Sequence, residues 1–264
     1  MKKILRKLLL MTLVCFCSWP LCRGDEEVAR RYQKAAKRYK FEIQPRAKFP
    51  RRISGTVVSV SEVERELDRF FEALDELGVS FVKKSGLKKV MFCRNLTLNG
   101  MPCGGVAYGN CIYLNVGFSK ETVYHEMFHV FDSASDDKSW QKWNHKKFRY
   151  RGIDFPDRPV SKGKKRKLQK HYAKYDYDFN RDFVSDYAQS NEKEDRAETF
   201  AMMIGNSRKF MSLARRSPAL WGKMQYIIEL TGRKSLLGKD YWVKKLGCEV
   251  LQHDYPYANK TRRE

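Results

Sequence analysis

Two histidines and a glutamate lie inside one apolar stretch, E-T-V-Y-H-E-M-F-H-V-F-D, at residues 121–132 of a chain that has only five histidines. On a helix, His125 and His129 are one turn apart and point the same way, so two neutral imidazoles can bind one Zn²⁺. Glu126 lies about 100° further round the turn, where it can take a proton from a metal-bound water. This H-E-x-x-H spacing predicts a hydrolytic zinc site. The alternative is a buried, purely structural histidine pair.

A catalytic zinc also needs a third protein ligand and one open position. His145 and His171 are candidates, but lysines flank both and indicate a wet, basic setting. No H-x-x-G-x-x-H continuation follows His129, which disfavours the metzincin arrangement. Glu194 and Glu198 are better candidates, because two carboxylates four residues apart on a helix repel one another unless a cation lies against them. The alternative is a solvent-exposed acidic helix start.

The combination of H-E-x-x-H-x-x-D with Y-x-x-x-x-x-x-E-x-x-A-E and a following apolar helix resembles the zincins of the glutamate-ligand type. It is similar to the catalytic domain of anthrax lethal factor and to a bacterial group of zinc-binding metallopeptidases. The stretch G-G-V-A-Y-G-N-C-I-Y-L-N, residues 104–115, resembles the edge hairpin that precedes their active-site helix. The likeness covers roughly residues 85–231.

The resemblance implies a role for each matching residue. His125 and His129 would be zinc ligands with Glu194 as the third, and Glu126 would be the general base. Glu198 as the third ligand remains a second option. One zinc ion per chain is therefore the predicted cofactor.

Three further residues would support this chemistry. Tyr187 matches a tyrosine that donates to the developing oxyanion, with a core aromatic as the alternative. Glu198 would orient a ligand histidine, and Asp132 would support the site or cap its helix. The substrate edge implied by the hairpin is Gly104, Gly105, Val106, Ala107 and Tyr108.

The elements that must position these residues follow from periodicity and turn signals. Ser61 and Glu64 form a capping-box signature for one helix, and Gly109-Asn110 predicts the turn of a hairpin at residues 103–116. The other predictions are strands at residues 56–60 and 87–93 and helices at 25–41, from Ser119, near Glu192 and at 218–230. Strands followed by helices predict an α+β fold, a zincin-like domain with a small mixed sheet packed on the H-E-x-x-H helix and a helical C-terminal half.

The N-terminal composition predicts export. Residues 1–24 have the basic start and short apolar run of a signal peptide, with an uncleaved anchor as the alternative. We expect a basic helical arm at 25–52, a catalytic domain at 53–264 and a basic insertion at about 152–178. After the signal, no segment is apolar enough to cross a membrane. The lysine-rich start favours a bacterial periplasmic or secreted protein.

The net charge limits the possible partners, and the cysteines predict disulfides. The formal net charge of +22 makes an acidic or glycosylated polypeptide a plausible substrate, and no nucleic-acid module is recognisable. An even number of cysteines remains after the signal in an exported chain, which predicts disulfides. They are Cys93, Cys103, Cys111 and Cys248.

The favoured function is thus a secreted zinc metalloendopeptidase. One alternative is an inactive zincin-fold module that binds acidic glycoproteins or cell-wall polymers. Another is a basic polyanion-binding protein whose H-E-x-x-H helix is only structural.

Overall fold

The structure, a computed structural model, describes residues 32–44, 48–133, 138–152, 161–233, 236–251 and 254–255. The predicted signal peptide at 1–24 lies outside these residues. No helix of the described chain is long and apolar enough to cross a membrane. The strands are β1 (Glu42–Gln44), β2 (Ile53–Val57), β3 (Lys89–Leu98), β4 (Met101–Pro102), β5 (Gly105–Tyr108) and β6 (Cys111–Asn115). The helices are α1 (32–39), α2 (Val60–Leu77), α3 (Val79–Ser85), α4 (Lys120–Asp132), α5 (Lys162–Tyr172), α6 (Glu192–Gly205), α7 (Ser207–Ala214), α8 (Pro218–Arg233) and α9 (Lys239–Leu246).

The described strands form one six-stranded mixed sheet around β3. The first half of β3 pairs in parallel with β1 and β6, and its second half pairs antiparallel with β2 and β4. β5 pairs antiparallel with β6 and ends the order β1-β3-β6-β5. The small mixed sheet and the helical C-terminal half confirm the predicted α+β fold class.

The sheet separates two apolar clusters because successive side chains of a strand point to opposite faces. Val90 and Phe92 of β3 face the large core that α2 and α4 cover, whereas Met91 and Cys93 face a smaller cluster with Ile53. Residues 32–44 add α1 and β1 to the same structure. Residues 42–44 of the predicted N-terminal arm therefore contribute a strand to the sheet.

The β5–β6 hairpin is confirmed, with its two-residue turn at Gly109-Asn110 and Gly109 at a φ of +57°. The helix start predicted at Ser61 is wrong by two residues. Ser59 is the N-cap of α2, and its hydroxyl accepts from the Glu62 amide while the Glu62 carboxylate accepts from the Ser59 amide. Arg94 of β3 also binds Glu62 at 2.5 Å, so contact with the sheet favours the earlier of two possible boxes.

The predicted disulfides are absent: Cys93, Cys103, Cys111 and Cys248 are free thiols. The Cys93 thiol donates to the Leu114 carbonyl at 3.7 Å, and the Cys103 thiol donates to the Leu96 carbonyl at 3.8 Å. Weak hydrogen bonds and burial are enough to place both sulfurs.

Candidate metal centre

Helix α4 brings two imidazoles together. Its first turn is capped by Ser119, whose hydroxyl accepts from the Thr122 amide, and its apolar face is buried in the large core. His125 and His129 project from the opposite side, with their Nε2 atoms 2.9 Å apart and their ring centroids 4.6 Å apart. The four-residue spacing of His125 and His129 on one helix is sufficient to bring their rings together.

Helix α6 supplies a carboxylate from 65 residues further along the chain. Asn191 caps α6 by accepting from the Glu194 amide at 3.0 Å, which fixes the first turn. Glu194 Oε2 lies 3.1 Å from His125 Nε2 and 3.2 Å from His129 Nε2. His125, His129 and Glu194 form a cluster in which the possible ligand atoms all lie within 4.8 Å of one another.

The donor set fits a divalent cation. His125 Nδ1 lies 2.9 Å from a Glu198 oxygen, so that nitrogen carries the proton and Nε2 presents a lone pair to the cluster. Glu194 Oε1 and Glu126 Oε2 are buried and have no hydrogen-bond partner within the described chain. Buried carboxylate oxygens without donors are unfavourable, and a cation bound at about 2.0–2.2 Å from the ligand atoms of His125, His129 and Glu194 would offset the negative charge of both carboxylates.

Electrostatics point the same way. Burial alone would lower the pKa of His125, but hydrogen bonds to Glu194 and Glu198 and the charge of Glu126 raise it to about 10. Burial would raise the pKa of Glu194, but the two histidines hold it well below its usual range. The cluster therefore attracts positive charge, and a metal ion would compete with a proton for it.

Glu126 projects from α4 towards strand β5, about 100° round the helix from His125. It is buried, and its carboxylate accepts a hydrogen bond from the Ala107 amide of β5. Burial raises the pKa of Glu126, while His125 and His129 oppose the rise. The predicted substrate-edge strand thus also holds the predicted general base.

Gly105 allows this close approach of β5 to α4. A Cβ at residue 105 would lie 2.8 Å from Glu126 Cγ and 2.8 Å from Thr122 Cγ2, which is closer than atoms tolerate. We expect Gly105→Ala to displace Glu126 and to lower kcat about ten- to a hundredfold in a peptide-cleavage assay, by analogy with other small misplacements of catalytic groups.

Gly232→Ala is the matched control, because a Cβ there would meet nothing within 4 Å and the residue lies near the end of α8, outside the cleft. Equal activity of the two variants would contradict a positioning role for the glycine. Circular dichroism should show both variants folded.

Tyr187 lies beside the cluster, in a short 3-10 helix at Tyr187–Gln189. Its ring centroid is 6.1 Å from that of His125, and 45% of the residue is exposed. Partial burial and the charges of Glu194, Glu126 and Glu198 raise its pKa, so the phenol stays protonated. It is not a core aromatic.

The structure shows how the other predicted supporting residues are bound. Glu198 joins His125 to Ser185, whose hydroxyl donates to the second carboxylate oxygen at 2.6 Å. Asp132 accepts from Arg196 Nε at 2.7 Å, a buried ion pair that bridges α4 and α6. Ser185 and Arg196 were not predicted, because nothing in the sequence indicates that they approach α4.

A second buried network lies behind α6. Lys223 Nζ of α8 lies 2.8 Å from Asp195 Oδ2 and donates to the Asp182 carbonyl at 2.8 Å. The Trp140 indole and the Tyr150 hydroxyl also donate to Asp195 Oδ2, each at 2.8 Å. Burial lowers the pKa of Lys223 and raises that of Asp195, and their contact opposes both shifts. The network anchors the first turn of α6 and was missed by sequence reasoning.

A cleft of about 1160 Å³ opens over the cluster. Its walls include Gly104 and Gly105, part of α4, Tyr187 and the basic helix α5. His145 and His171 lie elsewhere, since His145 stacks on Tyr177 at 4.5 Å and His171 Nε2 contacts the Lys147 carbonyl at 2.8 Å. The structure therefore separates these two histidines from the metal cluster.

Comparison with known proteins gives a similar fold but no family assignment. No family model matches the chain, and no curated protein matches it. Among solved structures, a "putative zinc-binding metallo-peptidase" from Bacteroides caccae is similar, with a TM-score of 0.51 and 15% identity. The match covers 88% of this chain and 96% of that chain. At this identity the likeness shows the fold alone.

Proposed function

We propose that this protein is a zinc metalloendopeptidase of the glutamate-ligand zincin type, resembling the catalytic domain of anthrax lethal factor. The observation that carries the proposal is the convergence of His125 Nε2, His129 Nε2 and Glu194 Oε2, three possible ligand atoms held 2.9 to 3.2 Å apart. The similar fold of the Bacteroides caccae protein supports it. We also propose that the protein acts after export, on the basis of the signal-like composition of residues 1–24.

In this proposal His125, His129 and Glu194 would hold the zinc ion, which when bound would supply an activated water and polarise the scissile carbonyl. Glu126 takes the proton from the attacking water and passes it to the leaving amine. Its buried setting suits both steps, because burial raises the pKa of the Glu126 carboxyl towards neutral pH, where the group can both accept and release a proton. The Ala107 amide keeps this carboxylate in place.

Tyr187 donates to the oxyanion that develops on the carbonyl oxygen. Its exposed position on the cleft wall leaves the phenol accessible to substrate, and its raised pKa keeps the donor proton in place at neutral pH. Glu198, held by Ser185, fixes the orientation of His125.

Strand β5 provides the substrate-binding edge. It ends the strand order of the sheet and lies along the cleft that contains the metal cluster. An extended peptide can therefore add as one more strand along the side of residues 104–108 that does not pair with β6, except at the Ala107 amide, which Glu126 binds.

The test is metal content with cleavage. We expect the purified protein to carry close to one zinc per chain by elemental analysis and to cleave members of a peptide library until a chelator removes the metal. Glu194→Gln should weaken zinc binding more than a hundredfold, because loss of a direct ligand exceeds the usual effect of losing a supporting residue.

The matched control is Glu229→Gln, the same change at an exposed glutamate of α8 that pairs with Arg233. It should leave zinc content and cleavage unchanged. Protein without zinc would contradict the proposal, and zinc-loaded protein that cleaves no peptide would favour the binding module.

A further inference from the structure

Helix α5 forms one wall of the cleft with a single face. Lys165, Leu168, Gln169 and Tyr172 all line the cleft. Their spacing of three and four residues places them on one side of a helix. The helix has six basic residues and no acidic one, and none of its residues is buried. The basic insertion therefore presents a defined positive surface towards the metal cluster.

This wall is packed against the domain. The Tyr172 ring stacks on Phe148 with centroids 5.9 Å apart and lies 4.7 Å from Phe179. The Tyr172 hydroxyl donates to the Arg149 carbonyl, and Lys164 Nζ contacts the Gly152 carbonyl at 3.4 Å. The aromatic contacts fix which face of α5 points into the cleft.

Lys165 is the available cation of this wall. Arg151, which also lines the cleft, is bound by Asp186 through two hydrogen bonds. The Lys165 side chain makes no hydrogen bond or ion pair with the residues that the structure describes and is exposed, and its charge contributes to lowering the pKa of nearby Asp186. An ammonium group in a cleft can bind an anionic group of a ligand, because low-dielectric walls concentrate its field.

A negatively charged side chain lines another part of the cleft. Glu121, in the first turn of α4, also lines the cleft, and its side chain packs against Gly205 at the end of α6. Lys165 lies instead near Asp186, next to Tyr187. The cleft is therefore basic on one side of the metal cluster and acidic on another. These charges should determine which substrate side chains bind at each position along the cleft.

We propose that Lys165 binds an acidic side chain of the peptide substrate, so that the enzyme cleaves peptides with a glutamate or aspartate at one fixed distance from the scissile bond. This inference rests on the proposed function and names its substrate class. The Leu168 and Gln169 side chains complete the subsite, where they contact the stem of the bound residue.

The test uses one cleavable peptide sequence in which each position is occupied in turn by Glu, Gln or Lys. At one position the wild-type protein should cleave the Glu peptide about tenfold faster, in kcat/KM, than the Lys peptide, as expected when one partly exposed charge pair is replaced by repulsion. Lys165→Glu should reverse the preference at that position only. The difference should shrink at high salt.

Lys167→Glu is the matched control, because it makes the same charge change two residues away, on the side of α5 that does not line the cleft. Both residues are exposed, so neither variant should lose stability. If both variants weaken the preference equally, the effect is one of overall charge and the proposed subsite is wrong. A wild-type protein that cleaves Glu, Gln and Lys peptides alike also overturns it, while the proposed function stands.

Binding separates the two proposals. Anisotropy titration of the labelled peptides with the Glu126→Gln variant measures recognition without turnover. Selective binding of the Glu peptide that depends on Lys165, with no cleavage by wild type, would remove the proposed function and keep the anionic subsite. Neither binding nor cleavage would remove both.

Discussion

Replacement of Glu126 by glutamine is expected to lower kcat for peptide cleavage about a hundred- to ten-thousandfold, the range that general acid–base catalysis contributes. The amide has nearly the same shape and can still lie against β5, but it cannot accept the proton of the attacking water. Zinc content should stay near one per chain, because Glu126 is not among the three converging ligand atoms. Steady-state kinetics with elemental analysis on the same sample checks both expectations.

The same change at a nearby glutamate is the control. Glu121→Gln alters a cleft-lining carboxylate of the same helix that does not contact the cluster atoms. It should change substrate preference by severalfold at most, as an exposed charge does. If Glu126→Gln kept full activity, the proposed hydrolytic mechanism would be wrong.

Replacement of Lys223 by methionine is expected to lower the free energy of unfolding by about 3–5 kcal/mol, because it leaves the buried Asp195 without its charge partner. Both side chains are completely buried, and their contact distance is 2.8 Å. The double variant Lys223→Met/Asp195→Asn should recover part of the loss, since the remaining group is then uncharged. Urea denaturation of the three proteins measures these differences.

A second lysine of the same protein provides the comparison. Lys245 lies 2.8 Å from Glu76, the same distance, but the two side chains are 25% and 35% exposed. Lys245→Met should therefore cost no more than about 1 kcal/mol. Equal costs for Lys223 and Lys245 would show that burial does not control the strength of these pairs.

The features that the sequence predicted best are those formed by residues close together in the chain. His125, Glu126 and His129 needed only helical spacing, and the β5–β6 hairpin needed only its Gly-Asn turn. Glu194 is 65 residues from His129. The four-residue spacing of Glu194 and Glu198 made both of them candidates, and a family likeness chose Glu194. The structure puts these side chains together; their catalytic roles remain proposals.

The sequence failed where contacts between distant segments decide. The N-cap of α2 is Ser59 and not the predicted Ser61, because Arg94 of β3 binds Glu62 in the first turn of the helix. Lys223 reads as a surface lysine, yet its partners come from α6 and from the loop before it. The sequence indicated only that the insertion at about 152–178 is basic. The packing of Tyr172 on Phe148 and Phe179 decides which face of α5 lines the cleft.

Strand β3 has a consequence for synthesis of the protein. Its parallel partner β6 ends at Asn115, and β5 and β4 lie between the two in sequence. A nascent chain that has emerged only as far as Leu98 therefore carries Val90 and Phe92 with their neighbouring strand still missing. Until that strand emerges from the ribosome, these apolar residues can associate with other chains. We expect early chain termination in this region to yield aggregated fragments, which a chaperone that binds extended apolar segments would suppress.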